Sequence, residues 1–367
     1  MEEACAGAPR TIPTRTIPKW LPPVASGIGL AAMAVTSGAV LLANHFVDEL
    51  SRPHQLMDES RLPPEVAELW QLPHAAPEPP LACQRALDFE SATGLHLRGD
   101  FWAQPRPAPT VVICHGYRAS RADLRPVAAL EYSHGFNVLL FDFRGHGDSA
   151  SVATTGGNAE VRDLEAALSV AAAQPETLPG EVVIHGFSMG AAIALLTPPH
   201  PDVAAIIADS PYAWLDDILR RLVQWQLGAE TARWARPLRP LRHVIPAVAW
   251  TTVAASALVF RVRFGHALLA RPANTFGRRA AKRTRAKVAA LPRRVPILLI
   301  HATGDAFIPI EHARRIAASA TSQGVPLETY FAESGVHCGA YGHDPERYIA
   351  VMLDFVTRSL SGHAASA

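Results

Sequence analysis

A serine hydroxyl is too weak an acid to attack a carbonyl at neutral pH, so it needs a constrained setting and a neighbouring base. Gly186-Phe187-Ser188-Met189-Gly190 supplies the setting. The apolar β-branched run from Val182 to Ile184 before it reads as a buried strand, and Gly190-Ala-Ala-Ile-Ala-Leu-Leu after it reads as a helix packed closely on a sheet. A strand that turns directly into a helix holds its corner residue in a strained conformation, and bulky side chains two residues to either side would collide with neighbouring elements. The corner serine stands at a helix N-terminus, where amide hydrogens and the helix dipole favour a developing negative charge. Five residues alone also fit an inert serine in a tight turn, so the rest of the chain has to decide.

The elements that would position this corner begin near Leu81. Arg85 to Glu90 and Leu95 to Ala103 alternate apolar and polar around Ser91-Ala-Thr-Gly94, the pattern of an antiparallel hairpin. Thr110 to Cys114 is a short buried strand ending in His115-Gly116-Tyr117, and Asn137 to Phe143 is another, running into Asp142-Phe143-Arg144-Gly145-His146-Gly147-Asp148-Ser149. Further strands are expected at Val203–Ala208, Val295–Ile300 and Leu327–Phe331, with helices near 121–134, 158–174, 310–322 and 345–360. Strands alternating with helices at this spacing imply an α/β fold with a mostly parallel central sheet, helices on both faces and the hairpin at its edge. Such sheets place their sites at the carboxyl ends of strands.

In these marks the chain resembles an α/β-hydrolase from about Leu81 to its C-terminus. They are the serine corner, His115-Gly116 after a central strand, Asp142-x-Arg-Gly-His-Gly-x-Ser, Gly304-Asp305 followed by Ile308-Pro309, and the late His337. Within that fold it is similar to serine esterases and lipases with a Gly-x-Ser-Met-Gly corner and a His-Gly oxyanion loop. The resemblance implies Ser188 as nucleophile, His337 as the base that takes and returns its proton, and Asp305 as the carboxylate orienting that base. It also implies the backbone amides of Tyr117 and Met189 as the oxyanion hole. His343 is the alternative base and Asp209 the alternative acid. His115 and His185 read as supporting residues, and the Asp142 to Ser149 loop as structural, with Arg144 tying it to carboxylates.

Composition bounds the remainder. The 367 residues carry a net charge of +1, which argues against a nucleic-acid partner, and 49% are apolar, enough for one large core. Half of the 34 lysines and arginines fall between Pro211 and Arg294, where the only acids are Asp216, Asp217 and Glu230. Cys5, Cys83, Cys114 and Cys338 show no metal-ligand spacing, and neither a metal nor a cofactor is expected. Val24 to Ala43 is an uncharged apolar run of bilayer-spanning length, preceded by Arg10, Arg15 and Lys19 and followed by Asp48 and Glu49. By the positive-inside rule it is read as a transmembrane signal anchor that carries the following domain to the non-cytoplasmic side, with a cleaved signal as the competitor.

The resulting division is a cytoplasmic segment (1–23), the transmembrane helix (24–43), a Pro-rich linker (44–80), and a hydrolase core in two parts (81–210 and 295–367). Between those parts lies a basic, apolar cap insertion (211–294). Its uncharged run Val244 to Phe260 is read as cap helix rather than a second crossing, since the chain must return to the same sheet at Val295. The cluster from Arg278 to Lys287 reads either as a solvated helix face or as a patch attracted to anionic lipid head groups. The activity implied is hydrolysis of carboxylic esters, including lipid or thioester substrates, at a membrane. A serine peptidase or acyltransferase on the same fold, and a catalytically silent binding protein, are the alternatives.

Overall fold

The computed structural model describes residues 38, 40–52, 77–232, 242–275 and 295–364. The edge hairpin pairs β1 (Gln84–Glu90) antiparallel with β2 (His96–Trp102). β3 (Ala108–Cys114), β4 (Asn137–Phe141), β5 (Thr177–Phe187), β6 (Val203–Asp209), β7 (Ile297–Ala302) and β8 (Leu327–Ala332) follow. They form one eight-stranded sheet in the order β1-β2-β4-β3-β5-β6-β7-β8. β2 runs antiparallel to β4 and the pairings from β4 to β8 are parallel. This is the α/β-hydrolase fold.

A central parallel strand is covered on both faces and so must be apolar at every position. In β3, Val112 and Cys114 face one side and Val111 and Ile113 the other, all of them buried. The second face packs against α2 (Arg125–Ser133) and the C-terminal α9 (Pro345–Ala364), through Val127, Leu130, Met352 and Phe355. The first takes α3 (Val161–Ala172) and α4 (Met189–Leu196), through Leu164, Leu168 and Ile193. Farther along the sheet, α7 (Ile310–Ser322) seats Ile310, Ala313 and Ile316 near Ile297 and Leu299 of β7. A short α8 (Ala340–His343) precedes α9.

Between β6 and β7 the chain leaves the sheet to form α5 (Leu215–Ala232) and α6 (Ile245–Phe264), which pack on each other. α6 buries Ala249, Thr252, Val253, Ser256 and Phe260, the i, i+3, i+4 spacing of one helix face. Its other face exposes Trp250, Leu258 and Val262. The helix outlasts the uncharged run by a turn and stops at Gly265, which takes φ 71° and donates its amide to the Arg261 carbonyl at 3.0 Å. Among the described residues, Arg242–Phe264 is long and apolar enough to cross a membrane.

The first described element, α1 (residues 40–51), joins the same core. Ala43, Phe46, Val47 and Leu50 recur at helical spacing, and the first three are buried. The Ser256 hydroxyl lies 3.4 Å from the Ala43 carbonyl, and Arg263 pairs with Asp48 at 2.7 Å, so α1 lies along α6. Residues 44–51, assigned above to the linker, are therefore helical and docked, because their apolar positions find a core to enter. Residues 1–37, the Pro-rich 53–76 and the basic cluster at 278–287 lie outside the described residues.

Candidate active site

Ser188 sits between β5 and α4 at φ 51° and ψ −111°, a conformation that side chains rarely adopt. Its amide donates to the Asp209 carbonyl at 2.8 Å, and its own carbonyl accepts from Ala192 at 3.0 Å in the first turn of α4. The flanking glycines are required by contact. A Cβ on Gly186 would lie 2.7 Å from the Ala191 backbone, and one on Gly190 would fall onto the carbonyl of Cys114 in β3. The corner can be this tight only because neither residue has a side chain.

The structure brings His337 and Asp305 to this serine from the carboxyl ends of other strands. Asp305, in the loop after β7, accepts from the amides of Phe307 at 2.9 Å and Ile308 at 2.8 Å through Oδ1. Its Oδ2 lies 2.6 Å from His337 Nδ1. His337, in the loop after β8, places Nε2 2.9 Å from Ser188 Oγ. With Nδ1–H donated to the carboxylate, Nε2 offers its lone pair to the hydroxyl proton. Ser188, Asp305 and His337 are 7%, 4% and 2% exposed, so the line of bonds is almost dry. Phe307 meets the His337 ring edge-on at 5.2 Å and fixes its tilt.

The electrostatics follow from this packing. Burial opposes the charge on Asp305, but the attraction of His337 and His301 and the Ile308 amide outweigh it and hold the carboxyl below its ordinary range. Burial likewise opposes the His337 imidazolium, yet the charge and hydrogen bond of Asp305 lift its pKa well above the ordinary value. Burial pushes the Cys338 thiol up, so it is neutral at pH 7.

Other candidates fall elsewhere. His343 is exposed at the end of α8 and donates its amide to Gly339; it is not part of this line. Asp209 is fully buried and accepts from the Ser210 hydroxyl at 2.8 Å and the Tyr348 phenol at 3.1 Å, rather than from His337. His185 bonds Glu131 at 2.8 Å and Tyr348 at 3.0 Å, a buried network that links α2, β5 and α9. The Ser210 hydroxyl in turn accepts from the Cys338 amide at 3.3 Å, so this network reaches the residue after His337. Sequence reasoning passed over Glu131 and Tyr348, whose helical periodicity reads simply as core. His115 accepts from the Phe143 amide at 3.0 Å and contacts the Gly116 carbonyl at 2.7 Å, joining two loops. Arg144 forms a buried two-pronged pair with Asp163.

Ser188, Tyr117 and Met189 open on one cavity. Its walls come from α5 (Leu215, Ile218, Leu219, Leu222), from Leu268 and Phe307, and from Leu50 of α1. Among the described lining residues there is no carboxylate and no cation. The described residues also contain no cluster of His, Cys, Asp or Glu spaced to hold a metal ion.

Comparisons with known proteins bear on the family and the fold. The model of the family described as serine aminopeptidase, S33, matches residues 105–338. The YqkD protein of Bacillus subtilis is 28% identical over 281 residues, which span 74% of this chain and 78% of that one. A Mycobacterium tuberculosis protein, Rv2307c, is 29% identical over 158 residues, 41% of this chain and 55% of its own length. Among solved structures, the Pyrococcus furiosus esterase Pf2001 superposes with a TM-score of 0.54 over 78% of this chain and 98% of its own, at 21% identity. That likeness is one of fold.

Proposed function

We propose, from the premise that the chain belongs to the serine aminopeptidase S33 family of α/β-hydrolases, that it cleaves carboxylic esters of apolar acyl groups through an acyl-enzyme at Ser188. The observation that carries the reading is the continuous bond line Asp305–His337–Ser188 opening on a cavity with apolar walls. His337 takes the Ser188 proton as Oγ attacks the ester carbonyl, and Asp305 stabilises the imidazolium that forms. The amides of Tyr117 and Met189 receive the oxyanion. His337 then protonates the departing alkoxide, and in the second half it activates the water that releases the acid. Water is the only co-reactant.

An aminopeptidase reading is less well supported by the same cavity. A free substrate N-terminus is an ammonium, and burying it without a carboxylate or carbonyl partner is costly. The described lining offers no carboxylate near Ser188, whereas an alkyl acyl chain needs no polar partner there.

The apolar run from Val24 to Ala43 would anchor the enzyme in a membrane with the catalytic domain on the non-cytoplasmic side. Support comes from the exposed Trp250, Leu258 and Val262 on α6, a helix whose buried face meets the α1 helix that this run enters. The basic residues from Arg278 to Lys287 are of the kind attracted to anionic head groups.

The test is labelling of the purified full chain with a fluorophosphonate, mapped by mass spectrometry. Adduct at Ser188 in wild type, absent in Ser188→Ala and strongly slowed in His337→Ala, is the expected outcome. A folded wild type that takes no label would overturn the reading.

A further inference from the structure

The wall of this cavity is not confined to the hydrolase core. Leu50, near the C-terminal end of α1, faces the cavity together with Leu219, Leu222 and Leu268. It precedes by more than fifty residues the stretch matched by the family model, which begins at residue 105. This part of the wall is therefore added to the shared framework from outside it.

α1 is fastened where it meets the cavity. The last carbonyls of a helix lack partners within the helix and must find them elsewhere. Here the Tyr117 phenol donates to the carbonyls of Glu49 at 3.3 Å and Leu50 at 3.2 Å, and the Thr154 amide donates to the carbonyl of Ser51 at 3.1 Å. Tyr117 is the residue whose amide is assigned to the oxyanion hole, and Thr154 lies two residues before Gly156, another lining position. Phe46 and Val47 lock the middle of α1 into the core, and Arg263 holds Asp48 from α6. A side chain on a helix held at both its middle and its end has a defined reach.

We infer that α1 is an added wall of the acyl pocket and that Leu50 is a specificity-determining residue, setting the length and girth of the acyl chain accepted beside Ser188. The inference rests on the ester-hydrolase reading and adds the selectivity element to it. A hydrophobic pocket discriminates by about 10- to 200-fold for each methylene gained or lost. Adding ring atoms at Leu50 removes room next to the acyl carbon, and truncating it adds room.

The full chain in detergent micelles is assayed with p-nitrophenyl acetate and p-nitrophenyl octanoate, and the readout is the ratio of the two kcat/KM values. Leu50→Phe is expected to lower the octanoate-to-acetate ratio at least tenfold, and Leu50→Ala to raise it or move the preferred ester to a longer chain. Leu41→Ala, on the same helix but outside the cavity lining, should leave the ratio as in wild type. Fluorophosphonate labelling of each variant counts the folded active sites, so that a folding defect lowers the count and leaves the ratio interpretable. Ratios within twofold of wild type in both Leu50 variants would overturn the inference while leaving the esterase intact. A wild type that labels no serine and cleaves neither ester would instead overturn the esterase reading on which the inference stands.

Discussion

Ser188 and Leu50 face the same cavity, yet they are held there by different physics. The loops that carry Ser188, Asp305 and His337 are fixed by hydrogen bonds of 2.6 to 2.9 Å and by glycines that leave no slack. The wall made by α1 and α5 is held chiefly by leucines, isoleucine, phenylalanine and valine pressed into a shared core. Directional bonds fix atoms in place and fail abruptly when a partner is lost. Apolar contact is non-directional and tolerates changes of shape at modest cost. The frame therefore sets which reaction occurs, and the wall is free to vary in what it admits.

The sharpest way to break that contrast is at Asp305. Asp305→Asn keeps the shape but removes the charge and reverses one hydrogen bond, and kcat for ester hydrolysis should fall by about 10⁴-fold, as loss of the orienting carboxylate does in other serine hydrolases. The pH profile should move as well. His337 acts only as the neutral ring, and its folded pKa is raised, so wild-type activity should be lost as pH falls through an apparent pKa above the ordinary 6.5. Without the Asp305 charge that lift is removed, and the residual activity of the variant should persist to lower pH. A profile unchanged by the substitution would mean that Asp305 does not govern His337.

Two helical glycines give the next effect. Gly190→Ala drives a methyl group into the Cys114 carbonyl and should cost about 3 kcal/mol by chemical denaturation, with activity lost in parallel. Gly228→Ala, in α5, meets nothing within 4 Å and should stabilise by about 0.5–1 kcal/mol through helix propensity. Equal effects at the two positions would remove the distinction between frame and wall. The smallest effect is expected at Leu222→Ala, which truncates a partly buried wall residue. It should shift the acyl-length profile by about tenfold or less and lower stability by about 1 kcal/mol.

How much of this could be read from sequence follows the same line. Ser188 stands out locally through the glycines of its corner, whereas Asp305 and His337 are picked out by the resemblance to α/β-hydrolases, through Gly304-Asp305 and a late loop histidine. The α7 helix was expected at the bounds it has, Ile310–Ser322, since its apolar spacing and the preceding Pro309 are both local. β4 ends at Phe141 rather than Phe143, where the Asp142 carboxylate gathers the Arg121 and Asp148 amides into a loop. The docking of α1 had no such signature. Phe46, Val47 and Leu50 acquire meaning only from partners such as Tyr117 and Arg263, far along the chain and silent in a window of neighbouring residues. The Glu131–His185–Tyr348–Asp209 network is hidden for the same reason, its members drawn from α2, β5, α9 and β6.

The bond between Ser188 and His337 spans 149 positions of the chain. At a synthesis rate of about 5–20 residues per second, a ribosome needs about 7 to 30 s to travel from one to the other. Throughout that interval the growing polypeptide carries a serine with no base to activate it, and β8, the last strand to be made, has yet to complete the sheet. On the proposed mechanism the chain cannot attack an ester until His337 has been added. A nascent chain released early by accident would be inert without any inhibitor or propeptide.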